Sequence, residues 1–208
     1  MKSPRSYLRE PQIQYLSQLL DEIQNGELFV PQFQMFWNKK KRLELLQSIE
    51  ENMPIGSLLV WRTQHRLPIF VQLDGHTLPS IPEQAQQTAY TYLLDGQQRL
   101  LTLFAALEQP VNSTKTCSYF YDLGKEEFIL SDRKKPKPTW MPVNILLDSL
   151  ALLKFQRTLK DNELIQKTER LSYTFRNYKI AIIPIATNDL GYAKTVFQRI
   201  NGKGTLMI

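Results

Sequence analysis

Five consecutive residues, Asp95-Gly96-Gln97-Gln98-Arg99, concentrate the chemistry of this sequence. They follow the apolar run Ala89-Tyr90-Thr91-Tyr92-Leu93-Leu94 and lead into Leu100, Leu101, Leu103, Phe104 and Leu107 at helical spacing. A strand that ends in a glycine turn and starts a helix exposes free N–H groups and a partial positive charge, which together attract anions. Gly96 lets a phosphate approach the backbone, and Arg99 can fork two hydrogen bonds onto phosphate oxygens. Gln97 and Gln98 each offer a donor and an acceptor. Asp95 has the chemistry to hold a hydrated Mg²⁺ against a triphosphate, or to orient an attacking water. The same residues also permit a purely structural arrangement, with Asp95 capping the helix and Arg99 paired to Asp95. Residue types alone leave both readings open.

Two further segments share this character. Pro31-Gln32-Phe33-Gln34 puts amides beside aromatics, or forms a packed loop with Phe33, Phe36 and Trp37 as core. Phe197-Gln-Arg-Ile-Asn201-Gly-Lys-Gly204 brings Arg199, Asn201 and two glycines to a helix end, where a glycine C-cap with a solvated lysine is the simpler reading. It is not a Walker A loop, because Lys203 lies between the glycines and no strand leads directly into it. Basic residues outnumber acidic ones between Lys125 and Lys179, most densely at Arg133, Lys134, Lys135 and Lys137. Such a segment attracts nucleic-acid phosphates without reading sequence, and it also suits a solvated loop.

The elements that must position these residues follow from periodicity. Helices are expected from Ile13 to Ile23, from Lys41 to Glu51, after Arg99, over 143–153, over 162–177, and after Asp189 as a cap. Strands are expected at Glu27–Val30, Ser57–Arg62, Ala89–Leu94 and Lys179–Ile183. Thr116–Tyr121 and Glu126–Leu130 read as a hairpin around Leu123-Gly124. Residues 63–88 read as a surface excursion with a small hairpin turning at Asp74-Gly75. This loose mixture predicts an α+β domain, a mixed sheet flanked by helices, with a helical appendage over 143–177.

Composition bounds the rest. The 208 residues suit one domain, and 42% hydrophobic with 22% charged residues allow a sizeable core. The apolar stop at Leu206-Met207-Ile208 predicts a C-terminal continuation. No apolar run approaches the roughly 20 residues that span a bilayer, and the N-terminus lacks a signal-peptide core. The single Cys117 excludes a disulfide framework and a cysteine-rich zinc site, and two histidines, His65 and His76, argue against a histidine-built metal centre. The chain reads as reduced, without membrane contact, and cytoplasmic.

In order, Pro31-Gln-Phe-Gln34 with Trp37, Pro54-Ile55-Gly56, Asp95-Gly-Gln-Gln-Arg99 and Phe197-x-x-Ile-Asn201-x-x-Gly204 resemble the GmrSD-type N-terminal domain, a ParB/sulfiredoxin-like domain. The likeness covers nearly the whole chain, and DGQQR is its specific part. It implies a regulatory domain of a DNA restriction or anti-phage defence system that binds, and hydrolyses, a nucleoside triphosphate with Mg²⁺. It places Asp95, Gly96, Gln97, Gln98 and Arg99 at the nucleotide site, with Gln34 and Asn201 as neighbours. It also implies an HNH-type nuclease domain or subunit as partner. The sequence departs from the family where Met35 replaces a common Arg, where 63–88 is long, and where no HNH-like cluster exists. A non-enzymatic DNA-recognition module and a protein-binding scaffold stand as the alternatives.

Overall fold

In a computed structural model, residues 7–32, 37–73, 76–81, 89–108, 118–131 and 136–201 are described. In chain order the elements are β1 (Gln12–Tyr15), α1 (Leu16–Gln24), α2 (Lys39–Glu50), β2 (Leu58–Thr63), β3 (Gln72–Leu73), β4 (His76–Thr77), β5 (Tyr90–Asp95) and α3 (Gln97–Leu107). There follow β6 (Ser118–Asp122), β7 (Glu127–Ser131), β8 (Trp140–Pro142), a 3₁₀ turn (Val143–Ile145), α4 (Ser149–Gln156), α5 (Asn162–Asn177), β9 (Lys179–Ala186) and α6 (Leu190–Asn201). The expected α+β class is found.

The main sheet has the order β1-β9-β2-β5 and is mixed, because β9 runs antiparallel to β1 but parallel to β2, and β2 runs antiparallel to β5. Its inner strand β2 reads Leu-Leu-Val-Trp because both sheet faces are covered. Leu58, Val60 and Leu93 point into a core shared with α1, α2, α3 and α5. Leu59, Trp61, Tyr92 and Leu94 point the other way, into a second core closed by Ala193 and Phe197 of α6. Burying side chains of this size contributes about 1.5–3 kcal/mol each. A second sheet, β7-β6-β8, stands beside α2 and the 3₁₀ turn.

Several expectations shift. Ile13 lies in β1, not on a helix, and is 73% exposed. The helix starts at Leu16 and buries Leu16, Leu19, Leu20 and Ile23. Glu27–Val30 forms no ladder of its own; Phe29 makes an isolated parallel bridge to Tyr92 along the outer edge of β5. The helix expected over 143–153 divides into the 3₁₀ turn and α4, because the Asp148 carboxylate accepts from Leu150 N and Ala151 N and begins a new helix there. The 143–177 segment is helical, and its inner face, including Leu146, Leu171 and Phe175, joins the main core. The strands of the small hairpin form as β3 and β4, whereas its Asp74-Gly75 turn lies outside the described residues.

α2 carries its charge the wrong way round for its dipole. Its first turn has no acidic residue and its last turn no basic one. Each lysine near the N-terminus costs on the order of 0.3–1 kcal/mol relative to a favourable placement. Asn38 offsets part of that cost by accepting a hydrogen bond from Lys41 N at 3.0 Å.

Candidate functional site

The junction between β5 and α3 is shaped by an irregularity just before it. Leu59 stands opposite Asp95, but Val60 stands opposite Leu93, so the pairing shifts by one residue at the strand end. Such bulges turn the following backbone and re-aim its side chains. Gly96 then takes a left-handed conformation (φ 87°, ψ 10°) and serves as the N-cap of α3. No side-chain hydrogen bond caps this helix. The capping role open to Asp95 is therefore not the one it takes.

Asp95 instead pairs with Arg99, Oδ2 to Nη2 at 3.0 Å. Arg99 also donates from Nη1 to the Ile55 carbonyl at 2.6 Å and from Nη2 to the Ser57 carbonyl at 3.0 Å. The guanidinium thus ties the strand end to the 53–57 loop. Two glycines leave room for it. A Cβ at Gly56 (φ 86°) would come within 2.7 Å of Arg99 Nη1, and one at Gly96 would come within 3.1 Å of Nη2 and collide with Leu58. Side-chain exposure is 15% for Arg99 and 28% for Asp95, so the pair sits at the surface margin.

The loop is held from its other side by Tyr178, where α5 passes into β9. Its hydroxyl donates to the Met53 carbonyl at 2.6 Å and accepts from Ile55 N at 3.2 Å. Burial raises the pKa of this phenol, so it stays a donor across ordinary pH. In the sequence Pro54-Ile55-Gly56 stands out only as part of the family likeness, and Tyr178 carries no mark of a role. The sequence signal is Gly56 itself, since glycine is used where another group must approach the backbone closely.

The two glutamines divide their roles. Gln97 is buried and donates Nε2–H to the Leu93 carbonyl at 2.8 Å, locking the turn. Gln98 accepts from Trp37 N at 2.7 Å, which holds Trp37 at the first turn of α3. Arg42 Nε donates to the Trp37 carbonyl at 3.0 Å and fixes α2 to the same place. Gln32 donates to the Ile69 carbonyl at 3.2 Å, and a hollow of about 500 Å³ opens there, lined by Gln32, Arg66, Pro68 and Ile81 among others.

Of the other expected site residues, Gln34, Arg133, Lys134 and Lys135 lie outside the described residues, as do the glycines after Asn201. Asn201 ends α6, and its side chain is likewise outside. Lys137 is exposed, with Nζ 5.4 Å from the Trp140 ring centroid.

Among the described residues no group of three or more His, Cys, Asp or Glu side chains could hold a metal ion. Asp95 supplies a single carboxylate with Oδ2 committed to Arg99. That donor set suits Mg²⁺ only when phosphate oxygens and water complete the shell.

The family described as GmrSD restriction endonuclease, N-terminal domain, matches residues 16–207. An uncharacterized protein of Methanocaldococcus jannaschii is 32% identical over 117 residues, which cover 53% of this chain and 20% of that protein. The chain therefore spans about a fifth of that relative's length. No helix among the described residues is long and apolar enough to cross a membrane.

Proposed function

The chain belongs to the family of GmrSD restriction endonuclease N-terminal domains, and from that premise we propose that it is the nucleotide-binding, triphosphate-hydrolysing regulatory domain of a DNA restriction system. The observation that carries this reading is the β5–α3 junction. An uncapped helix N-terminus at a glycine in the left-handed region stands beside a partly exposed carboxylate–guanidinium pair. Amides of an uncapped first turn favour an anion by about 0.3–1 kcal/mol, and by up to about 2 kcal/mol when partly buried.

In this reading the first-turn amides of α3 receive phosphate oxygens. Arg99 is positioned beside them by Asp95, Ile55 and Ser57. A phosphate oxygen competes well with neutral carbonyls for the fork, because charge-assisted hydrogen bonds are about twice as strong. Asp95 orients the attacking water or the hydrated cation through Oδ1, the oxygen outside its pair with Arg99. Mg²⁺ carried by the triphosphate would supply neutralisation of the charge that develops on the phosphoryl oxygens. Gln97 and Gln98 keep the turn and its flanking segment in register. Exchange of Arg99 between loop carbonyls and phosphate would transmit occupancy to the 53–57 loop and to Tyr178.

Isothermal titration of the folded chain with Mg²⁺ and each of the four ribonucleoside triphosphates tests the proposal. Saturable binding of at least one, weakened tenfold or more by Asp95→Asn and by Arg99→Lys, is expected. Absence of binding by any triphosphate, with DNA affinity that falls steeply with salt, would transfer the function to DNA recognition without hydrolysis.

A further inference from the structure

The segment after β4 does not finish the hairpin it begins. Gln72 pairs with Thr77 and Leu73 with His76, and Leu78 N–H donates to the Val71 carbonyl at 3.0 Å. The same register would set Ser80 opposite Ile69 and join them by the next pair of ladder bonds. Neither bond forms. Leu78 is buried in the core shared with α1 and Ile81 in the second core under α6, so the chain between them crosses the sheet edge instead of running along it. Pro79 lies in that crossing, seated against Gly26, where an added Cβ would come within 3.2 Å of it.

Two side chains take carbonyls that the ladder leaves. Gln32 Nε2 donates to the Ile69 carbonyl at 3.2 Å, and the Arg66 guanidinium donates to the Ile81 carbonyl at 2.5 Å. The inner edge of the Ile69 strand is already satisfied, because Gln32 N–H donates to the Pro68 carbonyl and Phe70 N–H to the Val30 carbonyl. Ile69 N–H therefore points outward, toward the break, and among the described residues nothing accepts from it. Ser80 is exposed and makes no hydrogen bond there. The hollow of about 500 Å³ opens at this break. Ile69, Val71, Pro68 and Ile81 give it apolar walls, and Gln32 and Ser80 give it polar ones. The Leu78–Val71 bond closes one end and the Arg66–Ile81 bond the other, so the break admits a compact ring and not a strand passing through.

The hollow is also level with the β5–α3 turn. Phe29 is bridged in parallel to Tyr92, and Pro31 is bridged antiparallel to Ile69. Counting on from Phe29, Gln32 falls beside Asp95, with the Ile69 strand one further out. Two strand spacings amount to roughly 10 Å.

We propose that this break in the hairpin is the nucleobase subsite of the triphosphate site, an inference that rests on the nucleotide reading of the β5–α3 turn. The phosphates lie on the first-turn amides of α3, the ribose spans the gap, and the base enters the break. Its faces meet the apolar walls, and its edge meets Ile69 N–H and the Gln32 amide oxygen. A nucleobase edge carries a donor and an acceptor side by side, and sites for such rings combine apolar walls with a few placed polar groups. A purely apolar ligand would cover the Ile69 amide and leave it without a partner, which is unfavourable.

Isothermal titration of the folded chain with Mg²⁺, comparing inorganic triphosphate with the four ribonucleoside triphosphates, tests the subsite separately from the phosphate turn. At least one nucleotide should bind about tenfold or more tightly than inorganic triphosphate, as expected from one or two added neutral hydrogen bonds and ring contact. Ser80→Trp puts a bulky ring at the break and removes no hydrogen bond that the fold makes. It should cut that preference to within about twofold, while inorganic triphosphate binds as before. Amide NMR on the parent chain gives a second measurement that needs no variant. Ile69 should shift with the nucleotide and stay unmoved by inorganic triphosphate, whereas Gly96 should shift with both. Equal affinity for inorganic triphosphate and every nucleotide would overturn the subsite and leave the phosphate turn standing. So would nucleotide binding that moves Gly96 but not Ile69, or a preference that survives in full in Ser80→Trp. Binding of neither ligand would remove the nucleotide reading itself, and the subsite with it.

Discussion

Arg99 is asked to do two things, and its geometry sets the terms. Three of its N–H groups satisfy Asp95, Ile55 and Ser57. Arg99→Ala leaves those oxygens without their donor, and each buried acceptor so orphaned costs about 1–3 kcal/mol. The variant should therefore show a clearly lower Tm as well as lost binding, so binding data on it alone are uninformative. Arg99→Lys keeps the charge but cannot span both carbonyls, and chemical denaturation should place it between Arg99→Ala and the parent. Tyr178→Phe keeps the ring and removes both hydroxyl bonds to the loop. Its expected signature is faster hydrogen exchange at the Ile55 amide, with the main-sheet amides unchanged. Equal exchange at Ile55 in both proteins would show that the hydroxyl does not hold the loop.

At the scale of elements, exposure separates residues that look alike in sequence. Ile13 and Leu16 both fit one apolar spacing, yet Ile13 faces solvent from β1 while Leu16 is fully buried in α1. Ile13→Thr should alter stability by less than about 0.5 kcal/mol, and Leu16→Ala should cost about 2–5 kcal/mol; equal costs in urea denaturation would return Ile13 to a helix face. Legibility follows the same division. β2, β5, β9, α3 and α5 could be read because their patterns are local: continuous apolar runs or sustained helical spacing. β1 and β8 could not. Gln-Ile-Gln-Tyr becomes a strand only because β9 is there to pair with it, and Trp140–Pro142 only because β6 is. The clamp was hidden for a similar reason. Ile55 and Tyr178 are 123 positions apart, and neither carries a mark of the other. DGQQR itself was legible as a turn before a helix, but the choice between capping and pairing for Asp95 was made by the bulge at Leu59, which no local pattern announces.

For the molecule as a whole, half-buried carboxyls tie stability to pH. Burial raises the pKa of Glu50 above 4.5, opposed in part by the hydrogen bond from Tyr121. Burial likewise raises Glu22 and Glu108. A group whose folded pKa exceeds its unfolded one binds more protons in the folded state, so its contribution to stability is present below the unfolded pKa and is lost as pH rises through the folded one. Stability from these groups should decline as pH climbs from about 4.5. Glu50→Gln should flatten part of that decline, as read from Tm against pH; an unaltered profile would show that Glu50 is not responsible.

The central claim is that the turn joining β5 to α3 receives a triphosphate, and amide NMR during titration with Mg²⁺ and a non-hydrolysable triphosphate analogue reads that turn directly. The account predicts saturable shifts at Gly96, Gln97, Gln98 and Arg99, followed by Ile55 and Ser57 as the guanidinium changes partners. Saturable binding that leaves those six amides unmoved would contradict it.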